Sequence, residues 1–246
     1  MNELLGKKAL VTGGSRGIGA ATAIALAAAG ADVALTYNSS AEAAAEVVKE
    51  IETLGRRGFA FEVDAADAVA VADGVARAAD QLGGLDILVN NAGVGAIAPI
   101  SDLTLADLDH VLAVNVRGVY AATQAAVPRL TDGGRVIHLG SCVAGRTALP
   151  GMTLYAMSKA ALVGLSKGLA RELGPRGITS NVIQPGPIDT DMNPADGPFA
   201  EPQIAFLALD RFGTTAEIAT AITYLAGPHA AYISGTELTI DGGYNA

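Results

Sequence analysis

The chain has 246 residues, half of them hydrophobic, with 30 glycines and only 17% charged residues, which suits one large core of small aliphatic side chains. Its net charge of −9 argues against nucleic acid or an anionic membrane as a main partner, since both bind basic surfaces. A single cysteine excludes an intrachain disulfide, no apolar run is long enough for a membrane span, and the N-terminal residues lack a signal-peptide pattern, so we expect a cytoplasmic protein.

Short apolar runs alternate with longer helical patterns along the whole chain. The runs predict seven strands, over residues 8–14, 31–37, 57–64, 85–93, 134–141, 178–186 and 237–243. Helices are predicted over about 18–29, 41–55, 67–84, 105–130 and 215–226, with one more that carries residues 155–159. The strands are continuously apolar rather than alternating, which is typical of a parallel sheet covered on both faces. We therefore expect a single doubly wound α/β domain of the Rossmann type over residues 1–246, with a mostly parallel, seven-stranded sheet.

A glycine-rich stretch, TGGSRGIG at residues 12–19, lies where the first strand passes into the first helix. Glycines at such a junction let the backbone approach a diphosphate, whose negative charge faces the N-terminus of the helix. The spacing is G-x-x-x-G-x-G rather than G-x-G-x-x-G, but the strand before it and the helix after it favour a dinucleotide site. The predicted contacts are Gly13, Ser15, Arg16, Gly17, Ile18 and Gly19.

The end of the second strand indicates which dinucleotide is bound. An NAD-dependent protein usually places an acidic residue there, which accepts a hydrogen bond from the ribose 2′-hydroxyl. Here the region reads TYNSS, and no acid occurs before Glu42. Arg16 can then face a 2′-phosphate with help from Asn38 and Ser39, beside Tyr37, whereas an Arg16 that meets only solvent is the alternative. The pattern favours NADP(H).

A tyrosine and a lysine lie four residues apart in the stretch YAMSK, at Tyr155 and Lys159. On a helix this spacing puts both polar ends on one face, where an isolated pair of this kind is usually a plain surface contact. A tyrosine with a pKa of about 10 is a poor acid near neutral pH, and a neighbouring ammonium favours its ionised form. Such a pair can therefore serve acid–base catalysis.

Four features occur in order along the chain: the glycine loop, NNAG at residues 90–93, Ser141 after the fifth strand, and the pair of Tyr155 and Lys159. As a set they resemble the classical short-chain dehydrogenase/reductase family, and the likeness covers about residues 7–243. Within that family the chain resembles the 3-oxoacyl-carrier-protein reductases and the stereoselective ketoreductases. Its C-terminal third also resembles a branch described as cyclic-di-GMP-binding biofilm-dispersal mediators.

The resemblance implies a role for each catalytic residue. Tyr155 would exchange a proton with the carbonyl oxygen, and Lys159 would lower the phenol pKa and hold the nicotinamide ribose. Ser141 would hydrogen-bond the substrate oxygen, and Asn115 would bend its helix and hold a water of the proton relay. The resemblance also implies contacts with the adenine, the ribose and the carboxamide of the cofactor, at Asp64, Asn91, Ala92, Gly93, Pro185, Gly186, Ile188 and Thr190.

The substrate pocket is predicted between loops near the catalytic residues. Its walls are predicted at Val94, Val143, Leu149, Pro187 and Met192. Ser141 and Tyr155 lie one position further apart than in many relatives. The extra residue falls in the loop that should form the pocket wall, so the sequence does not predict the shape of the pocket. The irregular segment 190–212 follows the carboxamide contacts and is expected to form a lid. Cys142 is expected to fill the pocket wall and His138 the core, and no cluster has metal spacing.

The sequence thus predicts an NADPH-dependent oxidoreductase, a carbonyl reductase that converts a ketone or 3-oxoacyl carbonyl to a secondary alcohol. The alternative is a regulatory protein that binds cyclic-di-GMP with little or no catalytic role, although a pure binder has no need of Tyr155 with Lys159. The helices at about 105–130 and 155–173 carry apolar residues on more than one face. With the resemblance, this predicts a homotetramer that acts on a small molecule.

Overall fold

The computed structural model describes residues 3–246, which build one parallel sheet of seven strands. The strands are β1 (Lys8–Val11), β2 (Asp32–Tyr37), β3 (Gly58–Glu62), β4 (Leu85–Asn90), β5 (Leu130–Leu139), β6 (Thr179–Pro185) and β7 (Glu237–Ile240). Their order across the sheet is β3-β2-β1-β4-β5-β6-β7, and every neighbouring pair is parallel. The predicted doubly wound α/β fold is confirmed.

Helices connect the strands and cover both faces of the sheet. Within residues 3–246 they are α1 (Gly17–Ala28), α2 (Ala41–Thr53), α3 (Ala68–Leu82), α4 (Leu105–Leu112), α5 (Val119–Ala126), α6 (Thr153–Leu173), α7 (Ala200–Ile204) and α8 (Thr215–Ala226). None of these helices is long and apolar enough to cross a membrane.

Two hydrophobic cores lie on opposite faces of the sheet. Helices α1, α2 and α8 pack on one face, where Leu26, Ile51 and Ile222 are fully buried. Helices α3, α5 and α6 pack on the other face. Neighbouring residues of a strand serve opposite cores, so Val11 lies in the first core and Leu10 in the second. This is why neighbouring residues in central strands such as β1 are both apolar.

The strand order reverses between β1 and β4, because β1 pairs with β2 on one side and with β4 on the other. At such a point the connections leave the sheet in opposite directions, and a crevice opens at the carboxyl ends of the strands. The glycine-rich turn after β1 and the NNAG motif after β4 both lie at this edge. The topology therefore brings the sequence motifs together.

The predicted helix 105–130 ends four residues early, at Ala126, and contains a π-helical turn that was not expected. Helix α4 ends at Leu112, a π-helical turn follows over Ala113–Gly118, and α5 ends at Ala126. Strand β5 then begins at Leu130 instead of residue 134, because Leu130 pairs with Leu85 on β4 before a shift in register. The turn-like residues after Leu130 concealed this long-range pairing from the sequence pattern.

Candidate active site

The turn after β1 is held closely against the end of β4. Gly13 has a φ of +65°, and a Cβ on it would lie 2.9 Å from Ala92 Cα, so the position requires glycine. The Asn91 amide donates to the carbonyl oxygens of Thr12 and Gly13, at 3.0 and 2.8 Å. The Thr12 hydroxyl accepts from the backbone N–H groups of Asn91 and Ala92. These bonds fix the shape of the glycine turn.

Thr36 holds the same turn from the end of β2. Its carbonyl oxygen accepts from the Gly14 N–H at 2.8 Å, and its hydroxyl accepts from the Gly13 N–H at 3.2 Å. Sequence reasoning missed both Thr12 and Thr36. The sequence does contain a signal for both residues: one threonine directly follows β1, and the other lies near the end of β2. A threonine hydroxyl can accept a hydrogen bond from a backbone N–H group of a nearby turn.

Helix α1 begins in this turn, and the N–H groups of its first turn are free to bind a ligand. The residue before it, Arg16, is extended, and no side chain within residues 3–246 caps the first turn. Ser15, Gly17 and Ile18 are half-buried, and Gly19 is buried against the carbonyl of Gly13. An uncapped helix N-terminus beside glycines binds phosphate groups well. The turn thus fits the diphosphate of a dinucleotide.

The residues predicted to select the dinucleotide lie at the outer end of the crevice. Arg16, Asn38 and Ser39 are exposed, and Tyr37 is half-buried. Asp64 is exposed after β3, and its carboxylate accepts from the Ala66 N–H at 2.9 Å. Their contacts with a cofactor stay predictions.

The chain after β6 approaches the start of α1 from the opposite side. Pro185 ends β6, and Gly186 packs against Asp241. Ile188 is buried, and the Thr190 Cγ2 lies 3.6 Å from the place that a Cβ on Gly17 would take. The predicted carboxamide contacts therefore lie on one side of the crevice, close to the predicted diphosphate site.

Helix α6 carries Tyr155 and Lys159 on one face, as the spacing predicts. The Lys159 ammonium lies 5.8 Å from the centre of the Tyr155 ring and donates to the Leu139 carbonyl oxygen at 2.8 Å. Lys159 is buried and Tyr155 is half-buried. A Cβ on Gly93 would lie 3.2 Å from the ammonium, so the NNAG motif borders the pair.

Ser141 follows β5 and faces the same tyrosine. Its hydroxyl accepts weakly from the Val143 N–H at 3.5 Å and lies close enough to the Tyr155 phenol to act on the pKa of that phenol. The backbone N–H of Ser141 donates to the side-chain oxygen of Gln184 at 2.6 Å. Two hydroxyl groups thus meet at the carboxyl end of the sheet.

Asn115 lies within the π-helical turn, and the bend that it was expected to cause in its helix stays a prediction. Its amide nitrogen donates to the Val94 carbonyl oxygen at 2.9 Å and to the Ser158 hydroxyl at 3.0 Å. Its amide oxygen accepts from the Val94 N–H at 2.8 Å. Asn115 therefore links the loop after the NNAG motif to α6, and its role in holding a water stays a prediction.

Known proteins are similar to this chain over nearly its whole length. Residues 13–245 match the family model described as enoyl-(acyl carrier protein) reductase. A cyclic-di-GMP-binding biofilm dispersal mediator protein of Escherichia coli is 42% identical over 246 residues, 100% of both chains. A 3-oxoacyl-(acyl-carrier-protein) reductase of Synechocystis is 40% identical over 246 residues, 99% of this chain and 98% of the relative.

A solved structure is more similar still. A short-chain dehydrogenase from Burkholderia cenocepacia, crystallised in complex with NADP, is 56% identical, and its TM-score is 0.98 over 99% of this chain and 100% of that one. This chain belongs to the short-chain dehydrogenase/reductase family. The family predicted from the ordered motifs is therefore confirmed.

In this short-chain dehydrogenase/reductase, burial raises the pKa of Tyr155 to about 12, although the Ser141 hydroxyl acts to lower it. Burial also lowers the pKa of Lys159 to about 8. The expectation that Lys159 lowers the phenol pKa stays a prediction. The ammonium is itself desolvated, and its hydrogen bond goes to Leu139 rather than to the phenol. The phenol is protonated at neutral pH, the form that a proton donor requires.

The predicted pocket walls of this family member differ in burial. Val143 and Pro187 are buried, whereas Val94 and Leu149 are half-buried. Val143 belongs to an apolar cluster against which Tyr155 packs. Met192 is 65% exposed, and the pocket formed by these five residues stays a prediction.

Cys142 and His138 have the structural environments that the sequence predicts. Cys142 is buried, and burial together with the Asp241 carboxylate raises the pKa of its thiol to about 12, so it is not a nucleophile. His138 is fully buried between Asn90 and Ser180, and burial lowers its pKa to about 4. Within the described residues, no His, Cys, Asp and Glu cluster could hold a metal.

Proposed function

We propose that this protein is a cytoplasmic carbonyl reductase that converts a ketone or 3-oxoacyl group to a secondary alcohol with NADPH. The observation that carries the proposal is the meeting of the Tyr155 phenol and the Ser141 hydroxyl at the end of a crevice that begins with a diphosphate-binding turn. When bound, NADPH supplies the hydride that the carbonyl carbon receives.

The side chains of the site have distinct tasks in this proposal. Ser141 donates a hydrogen bond to the carbonyl oxygen and so stabilises the negative charge that develops there. Tyr155 transfers its proton to the same oxygen as the negative charge of the alkoxide develops there. Lys159, buried beneath the ring, holds the nicotinamide ribose with its ammonium.

The turn and its neighbours support NADP(H) as the cofactor. Gly13 and Gly19 let the turn pack closely against Asn91, which fixes it, and the first turn of α1 has no side-chain cap that would compete with a diphosphate. Arg16 is exposed directly before α1, and we expect its guanidinium to face the 2′-phosphate. The Burkholderia cenocepacia relative holds NADP, which agrees with this assignment.

An assay of NADPH oxidation with a panel of ketones and 3-oxoacyl thioesters tests the proposed reaction. Cyclic-di-GMP is titrated in parallel, because the Escherichia coli relative is described as its binder. Turnover of at least one carbonyl compound supports the enzyme. Tight binding of the cyclic dinucleotide without any turnover would support the regulatory alternative instead.

Cofactor preference is the first specific expectation. The wild-type protein should use NADPH at least about tenfold better than NADH in kcat/KM, a difference of about 1.4 kcal/mol. The Arg16→Ala variant should lose most of this preference, because its KM for NADPH should rise whereas its KM for NADH should stay the same. The matched control is Arg56→Ala, which removes a guanidinium with only a long bond to Gly30. Equal kcat/KM for both cofactors in the wild type would contradict the assignment.

We propose that segment 190–212 acts as a lid within a single cofactor-binding and catalytic domain. A reciprocal amide pair between Asn193 and Gln203, at 3.0 and 2.9 Å, ties the ends of its first half together. Phe199 and Leu209 stay exposed, and apolar side chains without a partner suit a surface that closes over a ligand. Hydrogen exchange in this segment should be faster than in the sheet and should slow when NADPH binds. Uniform protection without cofactor would contradict a lid.

The homotetramer also stays a proposal. It is supported by an open surface between α5 and α6, which includes Tyr120, Gln124, Gly164 and Gly168. A Cβ on Gly164 or Gly168 would meet no atom within 4 Å, so this face of α6 is flat and open. Strand β7 pairs only with β6 and leaves one edge of the sheet uncovered within the described chain. Light scattering at micromolar concentration should give the mass of a tetramer, and a monomeric mass would contradict the proposal.

A further inference from the structure

Gln184 contacts the backbone of the catalytic serine from the neighbouring strand. The last backbone bond between β5 and β6 at this end runs from the Gly140 N–H to the Ile183 carbonyl oxygen. The next N–H group, that of Ser141, donates instead to the Gln184 side-chain oxygen at 2.6 Å. Gln184 is 3% exposed, so this bond is shielded from water.

The other end of the Gln184 amide is also held. Its nitrogen donates to a Glu237 carboxylate oxygen on β7 at 3.3 Å. The other oxygen of Glu237 accepts from the Lys167 ammonium on α6 at 2.9 Å. Because a carboxylate can only accept, the amide nitrogen must face Glu237 and the amide oxygen must face Ser141. The orientation of the side chain is therefore determined.

Gly140 makes room for this arrangement. A Cβ at that position would collide with the Gln184 side-chain oxygen and would lie 2.8 Å from Val182 Cγ1. The residue before Ser141 thus has to lack a side chain if Gln184 is to reach the Ser141 N–H. Neither the glycine loop nor the Tyr155–Lys159 pair contains this contact.

We propose that Gln184 is a positioning residue that holds Ser141 where its hydroxyl meets the Tyr155 phenol, with Glu237 and Lys167 fixing the amide. The inference rests on the proposed reduction, in which Ser141 touches the substrate oxygen. Losing the bond frees the Ser141 backbone to shift, and a displacement of about 1 Å in a catalytic group can cost about a hundredfold in rate.

A pair of substitutions separates positioning from simple filling of the core. Gln184→Met keeps the length of the side chain but removes the acceptor, and kcat should fall about tenfold or more while the KM for NADPH stays unchanged. Gln184→Glu alone places two carboxylates against each other and should lose activity as well. Gln184→Glu combined with Glu237→Gln reverses only the bond between positions 184 and 237, so the Ser141 N–H and the Lys167 ammonium still donate to an oxygen acceptor. This double variant should regain most of the lost kcat.

Amide hydrogen exchange gives a readout that needs no turnover. The Ser141 N–H should lose protection in Gln184→Met and regain it in the double variant. Asn181→Leu is the matched control, because Asn181 is also a buried amide on β6 but bonds Ile233 and Thr236. It should leave the Ser141 N–H protected and kcat unchanged.

The outcomes distinguish this inference from the proposed function. Unchanged protection of Ser141 in Gln184→Met, an equal loss of kcat in Asn181→Leu, or no recovery in the double variant would overturn the positioning role. If the wild-type protein reduced no carbonyl compound, the proposed function would fail. The exchange measurement would then still decide whether Gln184 holds the Ser141 backbone.

Discussion

Replacing Tyr155 with phenylalanine is expected to lower kcat by at least about a hundredfold, because general acid catalysis contributes about 10²–10⁴-fold. The change removes only the phenolic oxygen. The ring still packs in the apolar cluster that includes Val143, so the fold should be retained. NADPH should bind with the same Kd, measured by titration, because Lys159 and the glycine turn are untouched.

Tyr224→Phe is the matched control for this variant. Tyr224 is 50% exposed on α8, on the opposite face of the sheet from α6, so loss of its hydroxyl should leave turnover unchanged. If Tyr155→Phe kept more than about a tenth of the wild-type activity, Tyr155 would not be the proton donor. A variant that lost NADPH binding as well would point to a structural role instead.

Replacing Lys159 with methionine is expected to lower turnover by about a hundredfold or more, in line with the loss of a buried electrostatic group from an active site. The same change should not weaken the fold. Burial lowers the pKa of Lys159 to about 8, which shows that the folded protein disfavours the charged ammonium. Methionine has a similar length and no charge, so the free energy of unfolding at pH 7 should rise by up to roughly 3 kcal/mol.

The pH dependence of this stability difference has a definite sign. Below pH 8 the lysine is charged in both states, and the wild type bears the full cost of burying it. Between pH 8 and 10.5 the folded protein has released a proton that the unfolded chain still holds, so the wild type gains stability as the pH rises. The advantage of Lys159→Met should therefore shrink across this range.

Urea unfolding at a series of pH values measures this difference. Lys49→Met is the control, because Lys49 forms only a long surface contact of 3.8 Å with Glu46. It should change stability by less than about 0.5 kcal/mol and leave turnover unchanged. A large loss of stability in Lys159→Met, with activity retained, would mean that Lys159 supports the core rather than the reaction.

The fold could be predicted wherever local pattern and tertiary structure agree. Continuous apolar runs marked all seven strands, and a capping box at Thr214 and Glu217 begins α8 where the sequence predicts a helix. The π-helical turn at residues 113–118 could not be predicted from the periodicity of apolar residues. The side chain of Asn115 there bonds Val94 and Ser158, which are distant in sequence.

The main residues of the candidate site could be predicted from the sequence, but the effect of burial on their pKa values and some of their supporting hydrogen bonds could not. Motif order alone brought Ser141, Tyr155 and Lys159 together, and the structure places them in one site. The effect of burial on the phenol pKa could not be predicted, because depth of burial is not visible in the spacing of a tyrosine and a lysine. Thr36 and Gln184 were missed, since each acts through a contact between strands that no short motif records.

Transfer of an isotope label tests the central claim most directly. NADPH that carries deuterium at the transferable position of the nicotinamide is incubated with the protein and a carbonyl compound that it turns over, and the product is analysed by mass spectrometry. The account predicts a secondary alcohol with one deuterium on the carbinol carbon, formed by the wild type and almost absent with Tyr155→Phe. An alcohol without deuterium, or labelled alcohol formed equally by both proteins, would contradict it.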